Sequence, residues 1–341
     1  MLKKTRELFN SMCTRLAQGY SVASVAIAFA IEPTLAQALN DKIVEQSSFL
    51  KLINIVPVEE MEGEVIYGYA ASPVSGRTNT AQNDKERNPK NLLGMEAYKY
   101  KLAQTNSDVA IRYNVIDAWA KFPDLAQRYA RYVQERIAND RELIGWYGRM
   151  AAENTDMAAN PMLQDVNKGW MQYMREYKPA NILASGATPG KIRIGAGGDY
   201  TCLDVAVNDL VASIPPYLRK NLVALVGTDL ITAEKSALYS AMGQTPTEKV
   251  WIQYALNTLG GLPWQTPSNF PPRGLVVTSL DNLSLYHQDK SWRRKLEDNA
   301  KKDQVEDYQS RNEGYVVECP EKFAALEHDN VQLPDGNGGW A

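Results

Sequence analysis

The sequence predicts a large α+β fold that carries an extended arm and one long helix. Three observations lead there. Amphipathic helical stripes and short apolar strands are mixed along the 341 residues, and beyond Gly186–Gly198 the texture changes to alternating α and β. Two strand-like stretches, Glu64–Ala70 and Ala97–Tyr113, flank a polar segment rich in Ser, Thr, Asn and Gly that is too long for an ordinary loop. Finally, Pro123 to Tyr147 keeps a helical pattern with no internal proline and no glycine before Gly145.

Composition narrows the function classes. A chain that is 44% hydrophobic and 23% charged is ordinary globular protein, which excludes global disorder. Its 37 basic and 40 acidic residues give a net charge of -3, which argues against a dedicated nucleic-acid binder. The cysteines Cys13, Cys202 and Cys319 form neither a CxxC pair nor a disulfide framework, as in a reducing compartment. With His287 and His328 as the only histidines, most metal and His-based catalytic sites are starved of ligands.

The N-terminus imitates a secretory leader. Lys3, Lys4 and Arg6 precede the apolar run Val22–Ile31, and Leu35-Ala36-Gln37-Ala38 resembles a signal-peptidase site. The long region before the run contains Glu7, and Glu32-Pro33 separates the run from the cleavage-like site, so the sequence reads otherwise. Leu8, Phe9, Met12 and Leu16 recur at helical spacing, and Gly19 stands at a C-terminal cap position. No apolar run reaches the ~20 residues that a membrane-spanning helix needs.

Pro33 opens a second helix with Leu35, Leu39, Ile43 and Leu50 near one face. Leu52–Val58 reads as a strand, and the arm of two strands follows. Its polar tip holds Arg77, Lys85, Arg87 and Lys90, which are candidate contacts to another molecule. In the long helix, Leu125, Tyr129, Val133, Ile137 and Ile144 form the apolar stripe, a rod of roughly 35–40 Å at 1.5 Å per residue. A third helix is expected from Asn160-Pro161 through Leu163, Val166, Trp170, Tyr173 and Tyr177. Beyond Gly186–Gly198, helices are expected at Leu203–Ile214, Ile231–Ala241 and Glu248–Leu259. Strands are expected at Leu222–Val226, Leu275–Thr278, Leu283–Tyr286 and Tyr315–Val317. Residues 289–307 hold six basic and six acidic side chains and read as a solvated or intersubunit surface. The Gly-rich tail Leu333–Ala341 is expected to fray.

Chemistry-bearing motifs are weak. Gly195-Ala196-Gly197-Gly198 invites a phosphate loop, yet Asp199-Tyr200 stand where the pattern needs Lys followed by Ser or Thr, and the spacing does not fit G-x-G-x-x-G. A turn with Asp199 or Thr201 capping the next helix is the simpler reading. There is no G-x-S-x-G elbow. Cys202 opens a helix but is flanked by Leu203 and Val205, which suits a structural thiol. The acidic run Glu59, Glu60, Glu62 and Glu64 has no histidine near it and reads as a solvated strand start. The residues therefore favour an assembly protein over an enzyme.

Several stretches together resemble the major capsid proteins of tailed phages related to phage P2. They are Ile53-Asn54-Ile55-Val56-Pro57-Val58, Ile111-Arg112-Tyr113, Asn160-Pro161-Met162-Leu163-Gln164-Asp165-Val166 and Gly169-Trp170. Gly197-Gly198-Asp199-Tyr200, Leu283-Ser284-Leu285-Tyr286, Arg293-Arg294 and Tyr315-Val316-Val317-Glu318 follow in the family's order. The resemblance spans about residue 5 to residue 325 and implies the Hong Kong 97-type capsid fold, with no catalytic, cofactor or metal residues. It divides the chain into a leader and arm (1–57), an extended β-hairpin loop (58–113), a peripheral domain (114–199) with its spine helix at 123–147, an axial domain (200–290) and a return with the tail (291–341). It also implies a virion shell built in the host cytoplasm from pentamers and hexamers of this chain. A scaffolding protein with protease and a portal protein would be partners, packaged double-stranded DNA would be held only non-specifically, and no membrane would take part. N-terminal trimming is implied too, and the composition shift before Ile31-Glu32-Pro33 places the candidate processing site at Phe29 and Ala30. Two alternatives stand beside this reading. One is a cellular nanocompartment shell of the same fold; the other is a cytosolic nucleotide-dependent enzyme using Gly195–Gly198.

Overall fold

A computed structural model describes residues 3–70, 77, 93–119, 125–242, 256–335 and 338–341. The N-terminal part runs α1 (Lys3–Gly19), β1 (Phe29–Ala30), α2 (Pro33–Val44), β2 (Asn54–Val58), β3 (Glu62–Ala70), β4 (Leu93–Lys101), β5 (Ala103–Asn106) and β6 (Val109–Arg112). The middle holds α3 (Tyr113–Trp119), α4 (Leu125–Tyr147), α5 (Trp170–Tyr177), β7 (Ile182–Leu183), β8 (Ile192–Arg193), α6 (Leu203–Ser213), β9 (Val223–Val226) and α7 (Thr228–Met242). The chain then forms β10 (Trp264–Gln265), β11 (Leu275–Thr278), β12 (Leu283–Gln288), β13 (Arg293–Asn299), β14 (Gln304–Val317), β15 (Ala324–Leu326) and β16 (Val331–Gln332).

The largest sheet has seven strands and the order β1-β13-β14-β12-β2, with β5 and β6 also paired to β14. Pro57 fits into β2 because that strand lies at the sheet's edge, where a missing N–H costs no ladder bond. On β14, Asp307, Gln309, Arg311, Glu313, Tyr315 and Val317 alternate onto one face, and all six are buried. The long helix α4 docks on that face. Arg141 on α4 donates to Glu313 at 2.5 Å, and the Tyr129 hydroxyl donates to Asp307 at 3.1 Å. Apolar packing completes the contact: Trp146, Trp170, Phe49, Phe270 and Tyr315 form edge-to-face or tilted ring pairs. Gly145 is required there, since a Cβ at that position would lie 2.3 Å from the Trp170 ring.

A five-stranded sheet, β10-β9-β11-β15-β7, separates two cores. Ala224, Val226, Leu275, Val277, Ala324 and Leu326 face the core built with α6. Leu225, Val276 and Ala325 face the core of α4, α5 and the larger sheet. Both faces being covered explains why these strands are continuous apolar runs instead of alternating ones. A third, satellite cluster gathers Phe9, Val25, Ile116, Leu296 and Val305 beneath α1.

β3 and β4 pair with each other over the whole register from Glu62↔Lys101 to Ala70↔Leu93, so the expected arm is a hairpin. The expected second strand, Ala97–Tyr113, is divided: only its start belongs to the hairpin, and β5 and β6 turn back onto β14. The tip residues Lys85, Arg87 and Lys90 lie outside the described residues, as do Pro123 at the start of the long helix and most of the expected helix Glu248–Leu259.

Three expectations are corrected. The third helix begins at Trp170, after Gly169, and not at Asn160. Leu163 has φ +58. Buried Asp165 accepts the Asp156 N–H at 2.6 Å and the Asn160 amide at 3.1 Å, so local side-chain bonds outcompete the helix. The charged segment 289–307 is solvated at Lys290, Arg293, Asp298 and Lys301–Asp303 but not throughout. It supplies β13 and the start of β14, and Arg294 forms two bonds to buried Asp307, at 3.0 and 2.7 Å. Among the described residues, the C-terminal tail is tied down: the Leu333 and Ala341 backbones exchange hydrogen bonds at 3.1 and 3.0 Å, and Trp340 is half-buried.

Candidate assembly and processing surfaces

The expected processing site, Phe29 and Ala30, is β1 itself, antiparallel to Arg294 and Arg293 at the edge of the seven-stranded sheet. Outside that short ladder, the Ile31 N–H donates to the Trp292 carbonyl, and the Leu296 N–H donates to the Val25 carbonyl, each at 2.8 Å. Side chains reinforce the pairing. Arg294 lies over the Tyr20 ring at 5.7 Å and donates to its hydroxyl at 2.8 Å, while Tyr20 meets Phe29 at 5.3 Å between centroids. One turn from the start of α1, Arg6 pairs with Asp298, which also accepts a bond from Tyr113. Burial would raise the Asp298 carboxyl, but the bonds from Tyr113 and Arg6 outweigh it and hold the group below its ordinary value. The segment before Ile31 is therefore docked on the rest of the chain. Phe9 finds an apolar seat and Arg6 a carboxylate, and neither partner is near it in sequence.

Of the arm residues, Arg77 is exposed. At the hairpin's base Glu62 of the acidic run and Lys101 form an exposed ion pair at 2.6 Å. Tyr98 and Tyr100 anchor the base by ring contacts to Tyr177 and Tyr286.

The glycine-rich loop is occupied by the chain's own tail. Gly195 and Gly197 have φ +143 and +80, conformations that side chains resist. A Cβ on Gly198 would stand 2.8 Å from the Trp340 ring, and one on Gly195 would stand 2.7 Å from Pro334. Arg193 lies over Trp340 at 5.6 Å. Asp199 does not cap α6. It accepts the N–H groups of Ala187 and Arg193 at 2.7 and 2.8 Å, and those bonds hold its carboxyl below the usual range. The N-terminal N–H of α6, on Leu203, goes instead to Glu234 at 3.0 Å. A loop filled by Trp340 and tied by a carboxylate is no phosphate cradle.

The other candidates also find structural employment. Cys202 is half-buried beside Asp204 and Glu234, a trio close enough to share a cation, but Asp204 accepts the Gly260 N–H at 2.6 Å and Glu234 serves Leu203. His287 stands opposite Glu313 on β12, where burial and the Arg141 charge depress its pKa. His328 lies 3.5 Å from both Glu327 and Asp329, carboxylates already engaged by Arg175 and Arg149. Burial lowers its pKa against their pull. Sequence reasoning did not single out Arg141, Asp298, Glu313 or Trp340, because each acquires its role only from a partner distant in the chain.

A family model described as phage major capsid protein, P2 family, matches residues 8–329. The chain belongs to this family. It is 37% identical over 331 residues to the capsid proteins of Escherichia phage P2, covering 93% of this chain and 92% of that one. To the major capsid protein of Serratia phage KSP20 it is 32% identical over 348 residues, covering 98% and 99%. Among solved structures, a procapsid of satellite phage P4 that includes the size determination protein matches with TM-score 0.77 and 34% identity, over 98% of this chain and 99% of that one. The capsid of an empty GTA particle, at 16% identity and TM-score 0.52 over 82% and 89%, shares the fold. This P2-family protein thus has the α+β, Hong Kong 97-type capsid fold and is a structural major capsid protein of the phage virion, not an enzyme. Its relatives build shells, so copies of this chain are its principal partners. Among the described residues, no helix is long and apolar enough to cross a membrane.

Proposed function

We propose that this capsid protein assembles through pentamers and hexamers into an icosahedral head around double-stranded DNA. In this reading assembly takes place in the host cytoplasm, guided by a scaffolding protein with protease and with a portal protein as a further partner. The observation that carries the reading is the match to a procapsid along nearly the whole chain. Residues 114–199, with the spine helix α4, form the peripheral domain, residues 200–290 form the axial domain, and residues 291–341 return to the peripheral domain. The β3–β4 hairpin reaches over a neighbouring subunit with Arg77, Lys85, Arg87 and Lys90 as contacts. An arm that pairs mainly with itself gives each subunit several modest, repeated contacts, which multivalency converts into a stable shell. A net charge of -3 suits an inner wall that holds DNA without gripping it.

Electron microscopy of sedimented protein, expressed with and without its scaffold, tests the assembly reading. Closed shells of uniform curvature or ring-shaped capsomers are expected; a monomer under both conditions would overturn it. Trimming near Phe29–Ala30 has a separate test in the intact mass of subunits from mature particles. Chains that still begin at Met1 would sink it.

A further inference from the structure

We propose that the segment before Ile31 is a self-contained opening unit, and that its release from β13 governs access to the Phe29–Ala30 bond. The proposal rests on the trimming reading for its biological use, but its physical content concerns the isolated subunit.

Three observations carry it. First, the bond is guarded. A protease needs an extended segment with free backbone groups, and β1 is extended, but its ladder to Arg293 and Arg294 occupies one edge. Second, the fully buried anchors of this segment are few and lie together. Phe9 and Val25 bury themselves among Ile116, Leu296 and Val305 in a satellite cluster, while Tyr20 and Phe29 only border the largest core and stay partly buried. Arg6, held by Asp298, stands a turn away on the same helix. Third, the anchors are modest individually. The Arg6–Asp298 pair is 42% and 29% exposed, in the range where ion pairs contribute little, and the backbone ladder covers two residues. Such a unit opens at a lower free energy than the whole molecule, with Pro33 at the start of α2 as the boundary of what moves. At low protease concentration, where reclosing outpaces cleavage, cutting then follows the fraction of time the segment is undocked.

The test uses the purified full chain and chymotrypsin, which cleaves after Phe. Mass spectrometry follows the appearance of the product starting at Ala30, with cleavage after Tyr217, which is 58% exposed, as internal reference. Asp298→Asn should speed the cut after Phe29 about two- to fivefold, and Phe9→Ala at least about tenfold, with the Tyr217 rate unchanged. Equal rates in wild type and both variants would overturn the proposal. So would acceleration at both sites together, which signals global unfolding, or a wild-type Phe29 cut as fast as that at Tyr217. If particles retain Met1 while these rates shift as expected, the trimming reading fails and the opening unit stands.

Discussion

Glu313 is buried between two guanidiniums, those of Arg141 and Arg311, on the face of β14 that receives α4. Burial alone would raise its carboxyl, but the two positive charges outweigh that and hold it at about 2. The folded value lies below the ordinary 4.5, so its stabilisation is complete above that pH and is lost as pH falls towards about 2. Denaturant midpoints measured across that interval should fall more steeply for the wild type than for Glu313→Gln. At neutral pH that variant should lose roughly 3–5 kcal/mol, since it strands buried charge. Gly198 gives a second test. An added Cβ would meet the Arg193 carbonyl oxygen at 2.6 Å as well as the Trp340 ring, so Gly198→Ala should cost about 1–3 kcal/mol in thermal or chemical denaturation. Trp340→Ala in the same chain should not restore the loss, because the backbone clash remains.

Among the elements, α1 places Phe9 in a satellite cluster, while Phe29 of β1 packs against both that cluster and the edge of the largest core. A chain starting at Ile31 should therefore keep the helical circular dichroism of α2 onwards. It should bind a hydrophobic dye more strongly than the full chain, because Leu296, Val305 and Ile116 lose their cover; equal dye binding would contradict the packing described. The elements also differ in how legible they were. The strands Val223–Val226 and Leu275–Thr278 stood out as apolar runs because the five-stranded sheet is covered on both sides. β14 could be read only at Tyr315–Val317. Its preceding half is a series of charged and amide side chains whose burial depends on Arg294, Arg141 and Tyr129, contributed from far away in sequence. Leu163, Val166 and Trp170 have helical spacing, but Asp165 satisfies the backbone of a turn and the period there is accidental. Composition suggested Phe29 and Ala30 as a candidate processing site, whereas the pairing of these residues to β13 could not be read, because Arg293 and Arg294 carry no strand signal of their own.

At the scale of the molecule, both sheets depend on residues late in the chain. β14 is the partner of β5, β6, β12 and β13, and β15 joins β11 to β7. A chain ending at Asp303 should fail to fold and appear in the insoluble fraction. One ending at Leu333 keeps both sheets but loses the Trp340 seat, and should be soluble with a lowered melting temperature. This arrangement also sets a clock for synthesis. Ribosomes add about 5–20 residues per second, and neither core can close before the last strands emerge. Nascent chains therefore carry their earlier strands unpaired until β14 and β15 have been made, an order that long-range pairing also makes slow. A subunit whose sheets wait for these strands cannot present its finished surfaces to a neighbour before then.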